Sequence, residues 1–343
     1  MRPVRVGIAG FGLGGAVFHA PLVDSVDGLE VAAVMTRDPG RVAAARAAHP
    51  SARVVGELDE LLDGIDLLVV TTPNRSHAPI ALAGLRRGLA VVVDKPIAPD
   101  AAQARALLEA APPSPRLTVF QNRRWDDDFL TLRRVLEEGS LGELVRFESR
   151  YERFRPEVDA GRWRERPEPE EGGGQLLDLG AHVIDQALVL FGPPRSVFAV
   201  LTSRRPGSRT DDEDFLLIEH EGGMRSHLWI SAVNALAGPR FRVSGLRAGF
   251  ATDGVDPQED QLQAGLRPGD AGYGEGRSGL LAGREVALER GRYEDFYAAA
   301  RDWARGEAPA PVDPADGVRV LDVVEAARRS SAAREVVRVK ETT

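Results

Sequence analysis

The chain has 343 residues, 43% of them hydrophobic and 28% charged, with a formal net charge of −8 and no cysteine. That length suits two ordinary domains, each with a real core. The acidic balance argues against a general binder of nucleic acid or anionic membrane, which relies on concentrated positive potential, and without thiols there is no disulfide framework and no thiolate metal site.

Met1 to Gly10 reads as a strand entering a glycine turn, which leaves no room for a signal peptide. No apolar run approaches the ~18 residues of a membrane span, so the expectation is a cytoplasmic protein. The first third alternates short apolar runs at 4–9, 30–35, 67–71, 90–93 and 117–120 with Ala-, Leu- and Arg-rich stretches at 42–48, 58–62, 80–87 and 101–110. This is the order of parallel strands and crossover helices. Pro112, Pro113 and Pro115 punctuate the approach to the last of these strands. After residue 121 the rhythm changes to longer strands with charged alternation at 144–154, 197–202, 215–221 and 223–231, and to helices at 129–138, 176–190, 293–304 and 316–334. The stretch 249–283, rich in Gly, Asp and Gln, is expected to contain a long loop over the sheet or near the site. The sequence therefore predicts an α/β protein. Because Gly10, Gly12 and Gly15 follow the first strand, residues 1–121 are expected to form a Rossmann dinucleotide-binding domain with a parallel sheet, and residues 122–343 an α+β substrate-binding and oligomerisation domain with a large, open, mostly antiparallel sheet.

Gly10-Phe11-Gly12-Leu13-Gly14-Gly15 follows the first strand and opens a helix. Gly10, Gly12 and Gly15 supply a tight turn, close backbone approach to a pyrophosphate and close helix packing. Pro21 falls where that helix should continue, so a kink or restart is expected near His19 to Pro21. After the second strand, an acidic residue would bind the ribose 2′-hydroxyl of NAD. Here Thr36-Arg37-Asp38-Pro39 offers a hydroxyl and a guanidinium instead, a combination that attracts a 2′-phosphate and favours NADP over NAD. The competing reading is that Asp38 caps the next helix, Pro39 fills its first turn and Arg37 faces solvent.

Two of the 44 basic residues are lysines, Lys95 and Lys340. Lys95 ends the apolar run Val91-Val92-Val93-Asp94, where a titratable ammonium suits proton transfer and a permanently charged arginine does not. The bland alternative is a chance lysine in a loop. Further on, Asp178, His182 and Asp185 share one stripe of the helix at 176–190, with leucines and Val183 on another. A solvated stripe or a buried structural set is one reading; His182 as base with Asp178 as its orienting partner is the other. The six histidines are scattered and Asp178/His182 lacks a third partner, so no metal is expected.

The fingerprint at Gly10 to Gly15, Thr72-Pro73-Asn74 with His77 three residues on, Asp94-Lys95-Pro96, and Asp178-x-x-x-His182 together resemble the Gfo/Idh/MocA family of NAD(P)-dependent sugar and polyol oxidoreductases. The likeness spans nearly the whole chain. Asn122-Arg123-Arg124-Trp125-Asp126 and Gly254-Val255-Asp256-Pro257-Gln258-Glu259 are similar to the branch containing NADP-dependent scyllo-inositol dehydrogenases. The resemblance implies that Lys95 and His182 face the substrate carbinol carbon with Asp178 nearby, and that Asn74, His77 and Pro96 help seat the nicotinamide. The same family carries Glu before the Lys-Pro pair, whereas this chain has the shorter Asp94. Asn122, Arg124 and Trp125 are read as lining the cofactor or substrate cleft, with simple packing as the alternative.

These residues imply reversible hydride transfer between NADP(H) and the C–OH/C=O carbon of a cyclic polyol or sugar, with an inositol-type substrate favoured. His182 carries the proton, and Lys95 donates a hydrogen bond to the reacting oxygen; the two roles can be exchanged. An aldose or trans-dihydrodiol dehydrogenase, or a non-catalytic dinucleotide- and sugar-binding regulator, are the alternatives. An open sheet with one exposed face leaves apolar area that relatives cover by dimerisation, so a homodimer or dimer of dimers through residues 197–231 is expected.

Overall fold

A computed structural model describes residues 2–111, 116–159, 161, 165–168 and 171–339. Pro112, Pro113, Pro115 and Lys340 lie outside the described residues. Six strands, β1 (Val4–Ala9), β2 (Leu29–Met35), β3 (Arg53–Val55), β4 (Leu67–Val70), β5 (Ala90–Asp94) and β6 (Leu117–Phe120), form one sheet in the order β3-β2-β1-β4-β5-β6. All of its pairings are parallel. Leu67 to Val70 and Ala90 to Val93 are buried without alternation, as a sheet covered on both faces requires. The strand order reverses between β1 and β4, which opens a crevice beyond their carboxyl ends.

A second, nine-stranded sheet contains β7 (Leu144–Glu152), β8 (Pro194–Thr202), β9 (Glu213–His220), β10 (Arg225–Ser231), β11 (Phe241–Gly245), β12 (Gly249–Thr252), β13 (Ser278–Leu281), β14 (Arg284–Ala287) and β15 (Val337–Arg338). Its order is β14-β13-β12-β11-β7-β10-β9-β8-β15. Only β7 and β10 run parallel. Along β9, burial alternates residue by residue, because one face meets helices and the other does not.

The helices tie the two sheets together. Tyr293, Phe296, Tyr297 and Trp303 of the helix Tyr293–Ala304 share a core with Val6, Ile8, Val69 and Val92 of the parallel sheet. A late segment of the chain therefore covers one face of the first sheet. A second core runs without a break from Val91 and Val93 through Val320 and Val323 of the helix Pro314–Ala333 to Phe147, Leu228 and Ile230.

Three features differ from or refine the reading of the sequence. The 249–283 stretch contains the expected loop, residues 264–277, and also holds β12, the helix Gln258–Gln263 and β13. Phe250 is its anchor, buried in the core and paired opposite Val243. The helix expected at 176–190 begins as a wide π-helical turn, Leu176–Gly180, before Ala181–Phe191 continues as α-helix. The restart expected near Pro21 is present in the same form, a π-helical turn Gly14–His19 followed by Ala20–Asp24 with Pro21 in its first turn. Both wide turns adjoin the crevice, the setting in which π-turns recur.

Candidate active site

The glycine turn is a cradle sized for backbone. Gly10 has φ +97°, and a Cβ there would lie 2.8 Å from Thr71 O. At Gly15 a Cβ would lie 2.2 Å from Gly10 O, and at Gly14 it would lie 2.2 Å from the Thr71 hydroxyl. Gly12 is the exception: the nearest atom to a Cβ is a guanidinium nitrogen of Arg41, 3.8 Å away. That open space above the second glycine, with a cation beside it, fits a pyrophosphate approaching the helix start. Leu13 is exposed at the lip, while Phe11 is buried with its ring edge against His49.

Beyond β2, Asp38 Oδ1 accepts the Arg41 N–H at 2.9 Å and caps the helix Pro39–Ala48. Arg37 next to it, following Thr36, is largely exposed and forks onto Glu57 at 2.9 Å to each oxygen, with a further bond to Gly56 O. Arg41 was not singled out in the sequence; its signal is its place in the first turn of the helix, where Asp38 fixes the backbone that carries it.

At the ends of β4 and β5 the turns interlock. His77 is buried with its ring nitrogens 2.7 Å from Pro96 O and 2.7 Å from Thr72 O. Burial pushes its pKa down, against those two oxygens and the Asp94 charge. Pro73 leads into Asn74, whose amide donates to Glu171 O at 3.0 Å, and Arg75 pairs with the Glu171 carboxylate. These contacts join the Thr72 to His77 turn to the segment entering Gly172. Asp94 Oδ1 accepts the Lys95 N–H at 2.8 Å, and the Lys95–Pro96 bond is cis.

Lys95 Nζ donates to Asp178 O at 2.7 Å and to Asp178 Oδ1 at 3.2 Å, with the lysine side chain 16% exposed. Asp178 therefore holds the lysine, and no hydrogen bond joins it to His182 among the described residues. The π-turn is the physical reason: a stripe at 3.6 residues per turn does not hold where the turn is wider. His182 is buried, its Nδ1 has no hydrogen-bond partner among the described residues, and the edge of the Tyr151 ring lies 6.3 Å away, centroid to centroid. Burial, then the charges of Lys95, Arg123, Arg240 and Arg153, hold its pKa well below the ordinary imidazole value, so the ring is neutral. Asp185, the third member of the predicted stripe, faces elsewhere: Arg124 forks onto it at 2.8 and 2.6 Å and also binds Asp316 at 2.8 Å.

Arg124 thus lies with Leu188 and Pro193 on the far side of that helix, and the structure does not bring it to Lys95. Its neighbour Arg123 occupies the position expected of it. Arg123 is buried, bonds Glu259 at 2.6 Å and sits 4.8 Å over the Tyr151 ring. A 3₁₀ turn at Asn122–Trp125 sends successive side chains in different directions, and sequence alone did not choose between them. Asn122 is buried there, and Trp125 packs edge-on against Phe296.

The start of the helix carrying Asp178 and His182 is fastened from the second sheet. Asp211 Oδ2 accepts the Leu176 N–H at 2.6 Å, and Gly174, at φ +101°, has no room for a Cβ because Asp211 Oδ1 would lie 2.2 Å from it. Asp211 stands in no periodic pattern that could have marked it. Among the described residues no group of three or more His, Asp or Glu is arranged to hold a metal ion, and no helix is long and apolar enough to cross a membrane.

Comparison with known proteins adds three findings. A family model for the NAD-binding Rossmann fold of an oxidoreductase family matches residues 4–120, and one for the GFO/IDH/MocA C-terminal domain matches residues 129–251. The chain is 35% identical to scyllo-inositol 2-dehydrogenase (NADP(+)) IolW of Bacillus subtilis, over 97% of this chain and 95% of that protein, and 39% identical to an uncharacterized oxidoreductase, YdgJ, of Escherichia coli, over 94% of each. The crystal structure of an oxidoreductase from Bacillus cereus superposes with a TM-score of 0.86 at 27% identity, covering 99% of both chains.

Proposed function

The chain belongs to the GFO/IDH/MocA oxidoreductase family, and from that premise we propose that it catalyses reversible hydride transfer between NADP(H) and the hydroxyl-bearing carbon of a cyclic polyol, an inositol-type substrate first. One observation carries the reading: an ammonium held by Asp178 stands by a buried neutral imidazole, beside a glycine cradle. The nicotinamide supplies the hydride acceptor or donor when bound. In oxidation, His182 accepts the hydroxyl proton, for which a neutral ring is the competent form. Lys95 donates a hydrogen bond to the same oxygen and favours its alkoxide character, while Asp178 keeps the ammonium in place. In reduction the proton returns from the imidazolium to the developing alkoxide.

NADP is the proposed nucleotide. Thr36 and Arg37 directly follow β2, and the next carboxylate, Asp38, is engaged in capping the helix Pro39–Ala48. The relative of Bacillus subtilis is named for the same nucleotide. A dimer, or dimer of dimers, in the cytoplasm completes the proposal. Phe198, Val200, Phe215, Leu217 and Trp229 line the face of β8 to β10 that alternates with the buried one, and Arg150 lies 4.0 Å over the Trp229 ring. Covering that apolar strip is the reason to associate; a monomer at micromolar concentration by light scattering overturns this part.

The test is a matrix of NADP⁺ and NAD⁺ against inositol isomers and common aldoses, followed at 340 nm. Turnover with an inositol and NADP⁺ supports the proposal in full, and turnover with aldoses alone moves the substrate. Binding of NADPH with no oxidation of any polyol would leave a sensor.

A further inference from the structure

We propose that His19 and Tyr297 are positioning residues for the reaction centre, forming a buried relay that fixes Asp94 and, through it, the Lys95 turn. The inference rests on the hydride-transfer reading for its kinetic part only.

His19 is fully buried at the end of the π-turn that follows the glycines. A buried imidazole needs partners for both nitrogens. Nδ1 lies 2.5 Å from Tyr297 Oη; Nε2 makes no hydrogen bond among the described residues and faces Asp94 Oδ2 at 3.5 Å, an electrostatic contact. Tyr297 comes from the helix Tyr293–Ala304, nearly 280 residues further along the chain. Burial, then the Asp94 charge, hold the Tyr297 phenol well above its ordinary pKa, so its hydroxyl stays protonated and donates. Burial works against the Asp94 carboxylate, yet His19, then Lys95 and His77, keep its pKa below the usual value. The proton arrangement that fits has Tyr297 O–H donating to Nδ1 and Nε2–H facing an ionised Asp94 across 3.5 Å, an electrostatic contact and not a hydrogen bond.

The relay ends where the chemistry begins. Asp94 Oδ1 accepts the Lys95 main-chain N–H at 2.8 Å, and Lys95 Nζ reaches Asp178. From the other side His77 holds Pro96 O, so the Asp94-Lys95-Pro96 turn is clamped between two imidazoles. The charged and titratable groups around His19 are Asp94, Tyr297 and His77, with Lys95 beyond the carboxylate. The aromatic rings of Phe120 and Tyr297 pack on His19 at centroid distances of 4.5 and 6.0 Å. The Oδ2 contacts, 3.5 Å to His19 and 3.4 Å to the Thr71 hydroxyl, are the longest in the chain of bonds.

Tyr297→Phe is the cleanest probe, because it removes one oxygen and keeps the ring in its packing. The folded variant should turn over about 10-fold more slowly, a part of the ~100-fold that an ångström of misplacement costs. The KM for polyol and the Kd for NADPH should stay within about two-fold. His19→Gln, which keeps a donor toward Asp94, should recover part of the rate that His19→Phe loses. A readout independent of turnover uses the scarcity of lysine: ¹⁵N-lysine labelling gives two side-by-side amide signals, and the Lys95 signal reports its bond to Asp94 Oδ1. Tyr297→Phe should shift that signal and leave the other in place. An unmoved Lys95 amide overturns the relay whether or not the enzyme is active. A moved amide with unchanged kcat overturns the positioning role. Absence of turnover in the wild type would instead sink the proposed reaction, leaving the amide shift to decide the relay.

Discussion

The two sheets contribute to the crevice by different routes. The parallel sheet delivers its groups at strand ends: the glycine turn after β1, Thr71 to His77 after β4, and Asp94 to Pro96 after β5. Each lies within a few residues of an apolar run, so fold and site are written by the same local pattern. The nine-stranded sheet delivers no group that way. It presents a wall, Tyr151 with Arg123 and Arg153 stacked on its ring, and against that wall it steadies a helix bearing Asp178 and His182 through Asp211. Under the proposed function this is a division of labour in which cofactor seating is local and substrate chemistry is assembled from distant segments.

Substitutions on the two sides sharpen that comparison. Lys95→Arg should preserve folding and NADPH affinity and remove most turnover, ~10²-fold or more, because the guanidinium keeps the charge but its wider, planar fork cannot hold the same bonds to Asp178 and reach the reacting oxygen. Near-normal kcat in this variant would detach Lys95 from the chemistry. His182→Ala should also cost ~10²-fold or more in kcat with dinucleotide affinity largely kept. If fluorescence titration finds cofactor binding lost in step with activity, the division between the halves breaks down.

The nucleotide side has its own test. Arg41→Ala, beside the pyrophosphate space at Gly12, should weaken both nucleotides, whereas Arg37→Ala, whose guanidinium must first leave Glu57, should raise the Kd for NADPH roughly 10-fold with NADH nearly unchanged. Thr36→Asp should go further and favour NADH. Equal loss of both nucleotides would return Arg37 to the role of a surface ion pair beside the Asp38 cap.

Effects of pH separate the halves more gently. Burial and four neighbouring cations depress the His182 pKa, so in kcat/KM for oxidation the acid limb due to this group should lie below the ordinary imidazole value of about 6.5. A limb centred at or above that value would assign the proton to another group. Away from the crevice, burial, then the charges of Asp128 and Asp256, push Asp127 up to about 9. Between the ordinary carboxyl range and that pH, the folded chain holds a proton that the unfolded chain has released, so this group makes stability fall as pH rises. Asp127→Asn, which mimics the protonated form and can still accept from Arg277, should lose a few degrees less in Tm between pH 5 and 9 than the wild type. Parallel melting curves would contradict the assignment.

Much of this molecule was legible in its residues, for reasons that also mark the limits. The glycine spacing, the buried Val-rich runs and Lys95 at the end of β5 all announce themselves by contrast with their surroundings. β3, β14 and β15 are too short to show a period, β11 went unread, and β12 and β13 are masked by glycine. Arg123, Arg41, Asp211 and Glu259 acquire their meaning only from partners far away in the chain, and arginine is too common here for any one to stand out. The Asp178/His182 pair was found by a helical spacing that the π-turn then altered, which moved Asp178 from imidazole to ammonium.

The return of the Tyr293–Ala304 helix to the first sheet bears on how the protein is made. That helix begins 172 residues after Gln121, where the last strand of the first sheet has ended. At synthesis rates of ~5–20 residues per second, the face holding Ile8, Val69 and Val92 stays uncovered for about 10 to 35 s on the ribosome. The nucleotide-binding half therefore emerges early and is completed late, and a nascent chain stalled before residue 293 should present an apolar sheet face to chaperones that the finished protein hides.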